Sequence, residues 1–384
     1  MPRRWRLRAS RKLRWWREAK EEVLDPKRKE AARSKCDRWT WRGEGGAHIV
    51  LSYVGMDEKL RGFVLRLRKP DAPRKATKEM QRLGNVELLL GERYATKRVQ
   101  VLLHPKDADA LLNRHRKRSA SHAKPVSIRS RKDRSKMVVG ELMEDLAHPD
   151  ELPFLCVEIK PKCGVPLKDP RLPRHMCAFA LKNGHKTRYR PADLFSMVEG
   201  RMKQAVLALL QSPGNNWRAF LDGQLKESWE LPSALRSIVP CERKEATSWL
   251  AQMVVDCLKK ENLLLKLLEL QQRDGGGVHE VNRICQAARG RWRHVVSRDH
   301  KMKVAEYLLA RAASDCSLML SIKPKVCSRP HTHMGYTSCP WTGAVFQYRL
   351  KVIDFEVKHW RKVETHLSNH EALVQRHRLA ARGN

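Results

Sequence analysis

The segment at residues 156–164 constrains this chain most, because it places charged side chains at the end of an apolar strand. Its sequence is Cys-Val-Glu-Ile-Lys-Pro-Lys-Cys-Gly. Strand side chains alternate between two faces, so Glu158, Lys160 and Lys162 are predicted to share one face, while the intervening Val and Ile point into a core. Pro161 suits an edge strand or a strand end that opens into a turn. Taken alone, the pattern also fits an ordinary charged strand edge in water.

The composition allows one large core or two moderate ones. The chain has 384 residues, of which 41% are hydrophobic, and this length favours two lobes. No apolar run is long enough to span a bilayer, and the first residues lack the apolar stretch of a secretory signal. We therefore expect a soluble protein of the cytoplasm, the nucleus or both. The ten cysteines at irregular spacings are typical of reduced thiols, which predicts no disulfide.

The net charge of +36 favours a polyanionic partner. Residues 1–38 and residues 113–136 each carry an excess of nine positive charges, together half of the total. Residues 1–38 also interleave arginines with three tryptophans, so non-specific binding of RNA or DNA through this basic tail is one interpretation. A flexible, solvated extension is the other, and we favour it because no known nucleic-acid module is present.

The hydrophobic pattern predicts the following elements. A glycine-rich segment at 42–47 leads into a hairpin, in which the run 49–54 and the strand at 63–68 are joined by a Gly-containing turn; a helix at 75–90 and strands at 98–103 and 137–139 follow. Further along are helices at 194–211, 249–272 and 302–312, and strands at 318–322 and 348–353.

The Glu-Ile-Lys-Pro-Lys motif at 158–162 resembles the signature of the inositol-pentakisphosphate 2-kinase family. Similar blocks follow the family's order from about residue 39 to about residue 362. They are Arg-Gly-Glu-Gly-Gly-Ala at 42–47, Asn-Asn-Trp-Arg at 215–218, Asp-Cys-Ser-Leu-Met at 315–319 and Ile-Asp-Phe-Glu-Val-Lys at 353–358.

The resemblance implies an α+β, bilobal, kinase-like fold and an ATP-dependent phosphotransferase. Residues 1–38 would be a basic extension, 39–148 a smaller N-terminal nucleotide-binding lobe, and 149–384 a larger C-terminal lobe that binds inositol phosphate. The reaction would phosphorylate the 2-hydroxyl of inositol 1,3,4,5,6-pentakisphosphate to give inositol hexakisphosphate (phytate), with ATP and magnesium, and we expect a monomer. Two alternatives remain open: a nucleic-acid-binding protein on a kinase-like scaffold, and an inactive inositol-phosphate sensor.

The resemblance also assigns roles to individual residues. Asp315 would be the general base, and Lys160 would bridge the acceptor oxygen and the γ-phosphate. Asp354 and Asn216 would hold magnesium. The nucleotide-binding residues would be Gly43, Glu44, Gly45, Gly46, Arg66, Glu144, Asp145, Glu158, Asn216 and Arg218. The substrate-binding residues would be Arg129, Lys162, Asn215, Lys358 and Lys362.

Each role has a plain structural alternative in the sequence alone. The glycines also fit a tight turn, and Arg66 fits an ordinary surface position on a strand. Asp354 fits a turn residue after a strand, and Asp315 fits a cap between a helix and a strand.

The sequence departs from the family pattern at several positions. His48 stands in place of an asparagine, and Arg174-His175 in place of a substrate lysine. A zinc site is a further alternative. His279, Cys285 and His294 are potential ligands, but the second cysteine of the pair that binds zinc in relatives of this family is absent. Another set of potential ligands, Cys327, His331, His333 and Cys339, lies within thirteen residues. A loop with incidental His and Cys is the commoner reading of such a set, so we expect no zinc.

Overall fold

The structure is a computed structural model. It describes residues 38–45, 47–57, 60–69, 82, 84–116, 138–148, 152–238, 243–288, 297–325, 334–338 and 343–382. The described residues divide into two compact units. The N-terminal unit comprises those up to residue 73 and those of 97–145, and the C-terminal unit comprises those of 74–96 and those from 146 onward.

The strands are β1 (Trp39–Glu44), β2 (His48–Tyr53), β3 (Phe63–Arg68), β4 (Arg98–Leu103), β5 (Val138–Glu144), β6 (Leu155–Ile159), β7 (Trp217–Leu221), β8 (Gln224–Lys226), β9 (Ser317–Pro324), β10 (Gly335–Ser338) and β11 (Val345–Ile353). The α-helices are α1 (Val86–Leu89), α2 (Pro105–Arg116), α3 (Ala178–Asn183), α4 (Pro191–Leu194), α5 (Glu199–Gln211), α6 (Leu231–Ala234), α7 (Arg243–Lys260), α8 (Leu263–Gln272), α9 (Val278–Ala287), α10 (Arg298–Asp315) and α11 (Lys362–Arg382). Across the described ranges, none of these helices combines the length and apolarity needed to cross a membrane.

The N-terminal unit is an antiparallel sheet of five strands in the order β1-β2-β3-β5-β4. Buried side chains alternate along β2, which is the period-two pattern of a strand with one face on a core. Leu51 and Leu65 pack there with Leu111 of α2. The predicted hairpin and the predicted strands at 63–68 and 98–103 are confirmed.

The C-terminal unit contains a second antiparallel sheet, in the order β10-β11-β9-β6-β7-β8, with helices packed on it. The two sheets and the helices confirm an α+β fold. Strand β6 is buried along its whole length, and Val157 and Ile159 lie in the large hydrophobic core, as predicted. Because β6 pairs with a strand on each side, its residues have few routes to solvent.

Of the two alternatives for Pro161, the edge strand is wrong and the strand end is confirmed, because β6 is central in its sheet and ends at Ile159. The expected shared strand face is wrong, because Lys160 and Lys162 lie beyond the end of the strand that carries Glu158. Pro161 has no N–H to donate, so it cannot continue a strand that is paired on both sides.

The predicted helix at 249–272 is two helices, α7 and α8, separated at Glu261. The Glu261 side chain is 3% exposed and accepts hydrogen bonds from Arg93 (2.7 Å), from the Tyr94 hydroxyl (2.6 Å) and from the Tyr348 hydroxyl (3.1 Å). Burial, together with the Glu261 carboxylate, raises the pKa of Tyr94. These contacts hold Arg93 and Tyr94 against Glu261 within the C-terminal unit.

Other helix boundaries also differ from the prediction. The helix expected at 194–211 begins at Glu199, because Met197 adopts a left-handed backbone conformation with φ of 57°. Helix α10 runs on to Asp315, so this aspartate is the last residue of the helix. Of the helix expected at 75–90, the structure describes α1 in its C-terminal part.

Candidate active site

Four strand ends meet at one edge of the C-terminal sheet. Ile159, the last residue of β6, pairs with Leu318 in β9 and with Trp217 in β7. Ile353, the last residue of β11, pairs with Ser317 in β9. Since neighbouring strands are antiparallel, the chain leaves β6 and β11 where it enters β7 and β9. The residues just beyond these strand ends form what we call the site edge: Lys160, Asn216, Cys316 and Asp354.

Lys160 and Asn216 are direct neighbours at the site edge. The Lys160 backbone N–H donates to the Asn216 carbonyl oxygen at 2.9 Å, which extends the β6–β7 ladder by one step. The Asn216 N–H donates in turn to the Pro213 carbonyl oxygen at 2.8 Å. Asn215 lies within this turn and is exposed. The structure therefore brings three of the predicted site residues together through their backbones.

Lys162 and Asp315 form an ion pair at the same place. The Lys162 ammonium nitrogen lies 3.6 Å from Asp315 Oδ1, and the Asp315 side chain is 72% exposed. Burial lowers the pKa of Lys162, and the positive charges of Lys160 and Lys182 lower it further, whereas Asp315 opposes this shift. One carboxylate and three ammonium groups are thus close enough to influence each other.

Asp354 directly follows Ile353, which pairs with Ser317, the residue next to Cys316. Burial raises the pKa of the Cys316 thiol to about 12, and the carboxylates of Asp315 and Asp354 add to this effect. Both aspartates are therefore near the same sulfur atom. Asp354 has φ of 57°, a left-handed conformation that aspartate tolerates better than most residues, and it ends β11 as predicted.

Glu158 points to the opposite face of β6 from Val157 and is buried. It accepts a hydrogen bond from the Ser317 hydroxyl at 2.9 Å. Its other carboxylate oxygen lies 3.6 Å from the guanidinium of Arg218, directly across the β6–β7 pairing. Arg218 is about half exposed. Glu158 and Arg218, which were predicted separately as nucleotide-binding residues, thus form one ion pair.

Lys358 and Lys362 lie around His366 in α11. Burial lowers the pKa of His366 to about 4, and the cations Arg311, Lys362 and Lys358 lower it too, whereas Asp315 opposes the shift. The Nδ1 atom of His366 is buried and has no hydrogen-bond partner among the described residues. The two predicted substrate lysines are therefore near His366, whose pKa is also influenced by Asp315.

The predicted nucleotide residues of the N-terminal unit lie on its sheet. Gly43, Glu44 and Gly45 form the end of β1 and the start of its turn, and a Cβ on Gly43 would meet no atom within 4 Å. Arg66 is buried and lies 3.4 Å from Glu141, so the alternative of a surface arginine is wrong. The space beside Gly43 is therefore open among the described residues.

Glu144 is the last residue of β5, and Asp145 follows it. The Asp145 carboxylate accepts a hydrogen bond from the Ser52 hydroxyl at 3.1 Å and lies 3.5 Å from the Arg42 guanidinium. Asp145 thus ties the end of β5 to β1 and β2.

Several predictions fall outside the described residues and remain predictions. They concern Gly46, Arg129, most of the two basic segments, and the potential zinc ligands His294, Cys327, His331, His333 and Cys339.

A model of the inositol-pentakisphosphate 2-kinase family matches residues 41–371. The chain belongs to the inositol-pentakisphosphate 2-kinase family. An inositol-pentakisphosphate 2-kinase of Arabidopsis thaliana is 26% identical over 409 residues, which cover 85% of this chain and 90% of the relative. One of Oryza sativa subsp. indica is 23% identical over 396 residues, covering 83% and 88%. One of Cryptococcus neoformans is 27% identical over 264 residues, covering 61% and 62%.

Membership in this kinase family implies ATP and a divalent metal ion. The residues at the site edge fit the metal ion, because Asp354 offers hard carboxylate oxygens for a cation and Asn216 offers an amide oxygen. Lys160, Lys162 and Arg218 offer positive charges for phosphate oxygens.

A separate group of potential metal ligands lies away from the site edge. Asp169, His279 and His370 have ligand atoms within 4.8 Å of one another in the described part of the chain. The guanidinium of Arg171 occupies this group: it donates to both oxygens of Asp169 at 2.8 and 2.6 Å and to both oxygens of Glu371. Its Nη2 atom is 3.4 Å from His279 Nε2. Arg171 thus supplies the positive charge next to the carboxylates of Asp169 and Glu371.

Some residues at the site of this family member were not predicted from sequence. Lys182 on α3 and Arg311 on α10 influence Lys162 and His366, and Ser317 donates to Glu158. No local motif marks Lys182 or Arg311, because their places depend on how α3 and α10 pack. Ser317 directly follows the Asp315-Cys316 pair, which is recognisable in the sequence. No sequence pattern indicated its hydrogen bond to Glu158.

Proposed function

We propose that this protein is an ATP-dependent kinase that phosphorylates the 2-hydroxyl of inositol 1,3,4,5,6-pentakisphosphate and so forms inositol hexakisphosphate. The observation that carries the proposal is the site edge, where residues from four separate blocks of the family pattern lie together. The relatives named inositol-pentakisphosphate 2-kinase cover most of the chain, which supports the same reaction.

Phosphoryl transfer depends mainly on positioning and on neutralising charge. Lys160 contacts the γ-phosphoryl group and the acceptor oxygen, and Arg218 contacts the phosphates from the neighbouring strand. Asp354 and Asn216 would hold a magnesium ion, which would supply positive charge to offset the nucleotide phosphates. Glu158 holds Arg218 in place through their ion pair. In the N-terminal unit, Arg66 and the glycines at the end of β1 are proposed to bind phosphate groups.

Asp315 is the proposed general base. Its carboxylate is exposed, so an acceptor hydroxyl can reach it without rearrangement of the core. Lys162 pairs with it before substrate binds and then moves its charge to a substrate phosphate. The carboxylate released in this exchange orients the 2-hydroxyl and accepts its proton.

The substrate is a compact polyanion, because each of its five phosphates carries about −1.5 to −2 charges near neutral pH. Binding it requires several cations in one place. Lys160 and Lys182 influence the pKa of Lys162, and Arg311, Lys358 and Lys362 influence that of His366, while Asp315 influences both groups. This density of positive charge supports an inositol polyphosphate over a substrate with a single phosphate.

We further propose that the two units are the lobes of a kinase-like fold. The smaller N-terminal unit binds nucleotide, and the larger C-terminal unit carries the substrate cations and both aspartates. The glycine-rich hairpin in one unit and the site edge in the other support this division.

The test is an assay of purified protein with ATP, magnesium and inositol pentakisphosphate, followed by anion-exchange chromatography. The expected product is inositol hexakisphosphate. Asp315→Asn is expected to lower kcat by about 10²–10⁴-fold because a general base contributes that much. Lys160→Ala is expected to lower kcat strongly as well.

Two matched variants serve as controls. Asp299→Asn lies at the opposite end of α10 from Asp315, and Lys259→Ala removes an exposed lysine that pairs with Glu199 at 2.7 Å. Both are expected to keep wild-type activity. A folded wild-type protein that forms no hexakisphosphate, or an Asp315→Asn variant as active as Asp299→Asn, would refute the proposal.

A further inference from the structure

Gln271, near the end of α8, has a buried side chain that bonds only to backbone groups. The residue is 3% exposed. Its side-chain oxygen accepts from the Gly164 N–H at 2.8 Å, and its side-chain nitrogen donates to the carbonyl oxygens of Lys162 (3.0 Å) and Ala313 (3.2 Å). A primary amide has two N–H donors, so both are used. The amide thus connects three backbone groups from two distant segments.

The two segments are the ones that carry the ion pair of the site edge. Lys162 and Gly164 belong to the loop after β6, and Ala313 lies two residues before Asp315 in the last turn of α10. The last carbonyl groups of a helix have no partner inside the helix, so the Ala313 oxygen can accept a bond from outside. Gln271 therefore links the backbone of Lys162 to the backbone that presents Asp315.

The loop conformation needs such support. Lys162 has φ of 61°, a left-handed conformation that is unfavourable for a lysine. The preceding carbonyl, that of Pro161, accepts a bond from the buried Tyr189 hydroxyl at 2.8 Å. On the other side, a Cβ on Gly164 would lie 2.5 Å from the Phe195 ring, so the loop packs closely there. Buried side chains thus hold consecutive carbonyl groups on both sides of the Lys162 Cα.

We propose that Gln271 is a positioning residue, which sets the spacing between the Lys162 ammonium group and the Asp315 carboxylate through their backbones. This inference rests on the proposed kinase function. Gln271 itself contacts no substrate. Its amide holds the two segments at one fixed spacing. Lys162 can then contact the polyanion while Asp315 contacts the acceptor hydroxyl. Misplacement by about 1 Å costs on the order of 100-fold in rate, so the loss of this link has a large effect on turnover.

The test compares Gln271→Met, Gln271→Glu and the wild type in the chromatographic assay. Methionine has a similar size but forms none of the three bonds. We expect Gln271→Met to lower kcat by at least about tenfold while the KM for ATP stays within about twofold, because the nucleotide-binding groups are not held by this amide. The control is Leu267→Ala in the same helix, which destabilises the core and leaves the amide of Gln271 with its three bonding groups in place. We expect its kcat to stay within about twofold at a temperature at which every variant is folded.

A pH profile separates positioning from general loss of stability. A protonated glutamic acid at position 271 has one O–H donor and one carbonyl acceptor, so it restores part of the link. The ionised carboxylate has no donor and faces two carbonyl oxygens. Burial raises the pKa of such a carboxyl group into the working range. The kcat of Gln271→Glu relative to wild type is therefore expected to rise as the pH falls from 8.5 to 5.5, while the ratio for Gln271→Met stays flat.

The outcomes are distinguishable. A wild-type protein without kinase activity would refute the proposed function itself. An active wild type with Gln271→Met no slower than Leu267→Ala would overturn the positioning role, as would a Gln271→Glu ratio that does not change with pH. If Gln271→Met does not fold, the pH profile of Gln271→Glu decides alone. If neither folds, Gln271 is a structural residue and the positioning role is rejected.

Discussion

The ammonium nitrogen of Lys162 lies 3.6 Å from Asp315 Oδ1. Lys162 is partly buried and near two other lysines, which lowers its pKa, and Asp315 is the group that offsets this cost. A phosphate of a bound polyanion can replace Asp315 as the partner of Lys162. The ion pair is therefore suited to exchange on substrate binding.

Replacement of Lys162 by methionine is expected to weaken substrate binding and to stabilise the fold. The lost charge-assisted bond to a phosphate raises the KM for inositol pentakisphosphate by about 10- to 100-fold. Because the pKa of Lys162 is lower in the folded state, the unfolded state binds more protons between the two pKa values, so the charged lysine destabilises the fold at neutral pH. Kinetics and thermal unfolding at pH 7 measure the two effects.

Lys259→Met is the control for this prediction, since Lys259 forms its ion pair with Glu199 at 2.7 Å. It is expected to change neither KM nor Tm appreciably. A Lys162→Met protein with a wild-type KM, or with a clearly lower Tm, contradicts the account of the ion pair.

Loss of the Ser317 hydroxyl is expected to destabilise the C-terminal unit. Ser317 is fully buried and donates to the buried carboxylate of Glu158 at 2.9 Å. Ser317→Ala leaves that charged acceptor without its neutral donor, at a cost of about 1.5–3 kcal/mol in the free energy of unfolding. Urea denaturation measures this value. Ser237→Ala, which removes an exposed hydroxyl bonded to the Ala234 carbonyl oxygen, is expected to cost less than about 0.5 kcal/mol. Equal losses for the two variants argue against the buried bond to Glu158.

His366 is expected to be neutral in the unliganded protein at pH 6. Burial and the surrounding cations lower its pKa from the usual 6.5 to about 4. The unfolded state then binds more protons between these values, so stability falls as the pH decreases from about 6.5 toward 4. His366→Gln removes this dependence and is expected to gain on the order of 1 kcal/mol over wild type between pH 6.5 and pH 5.

NMR titration of the His366 ring checks the pKa directly. Addition of inositol hexakisphosphate is expected to raise it by at least about one unit, because the polyanion offsets the charges of Lys358, Lys362 and Arg311. His377, which is half-buried, serves as the reference within the same helix. A His366 pKa near 6.5 that does not respond to the ligand contradicts the placement of the cations.

Asp169 is expected to stabilise the fold at neutral pH and to lose this effect in acid. Its buried carboxylate accepts hydrogen bonds from Arg171 and lies 2.7 Å from His370 Nε2. The bonds from Arg171, more than any other contact, hold the pKa of Asp169 below its usual value of 3.8. Its contribution is thus complete above about pH 4 and is lost as the pH falls further.

Asp169→Asn is expected to cost about 3 kcal/mol at pH 7, because it breaks a buried ion pair, and clearly less at pH 3. Urea denaturation at both pH values measures the difference. Arg201→Ala removes an exposed ion pair with Asp193 and is expected to cost at most about 1 kcal/mol at either pH. A loss for Asp169→Asn that is equal at the two pH values contradicts the role of the ionised carboxylate.

The sequence predicted much of the local structure correctly. The strands at 63–68 and 98–103 have the bounds that their pattern predicts, because apolar alternation and flanking turn residues are local signals. Strands β7, β8 and β10 and helix α11 were not predicted. Strands β8 and β10 have only three and four residues, which is too short for a period to show.

The burial of charged residues could not be read from the sequence. Glu158 has the pattern of an exposed strand position, yet it is buried because β7 and β9 flank it and Ser317 and Arg218 supply its partners. Gln271 has no motif, because each of its three bonds joins residues far apart in the chain.

The sequence by itself determined the family, since the blocks at 42–47, 158–162, 215–218, 315–319 and 353–358 stand in the family's order, and it determined which residue types are available for phosphoryl transfer. Only the tertiary structure decided that Lys160, Asn216, Cys316 and Asp354 share one sheet edge. Antiparallel pairing of β11, β9, β6 and β7 aligns the ends of strands that lie far apart along the chain. Such pairing is a property of the whole fold, because it depends on non-local hydrogen bonds and packing that no local pattern encodes.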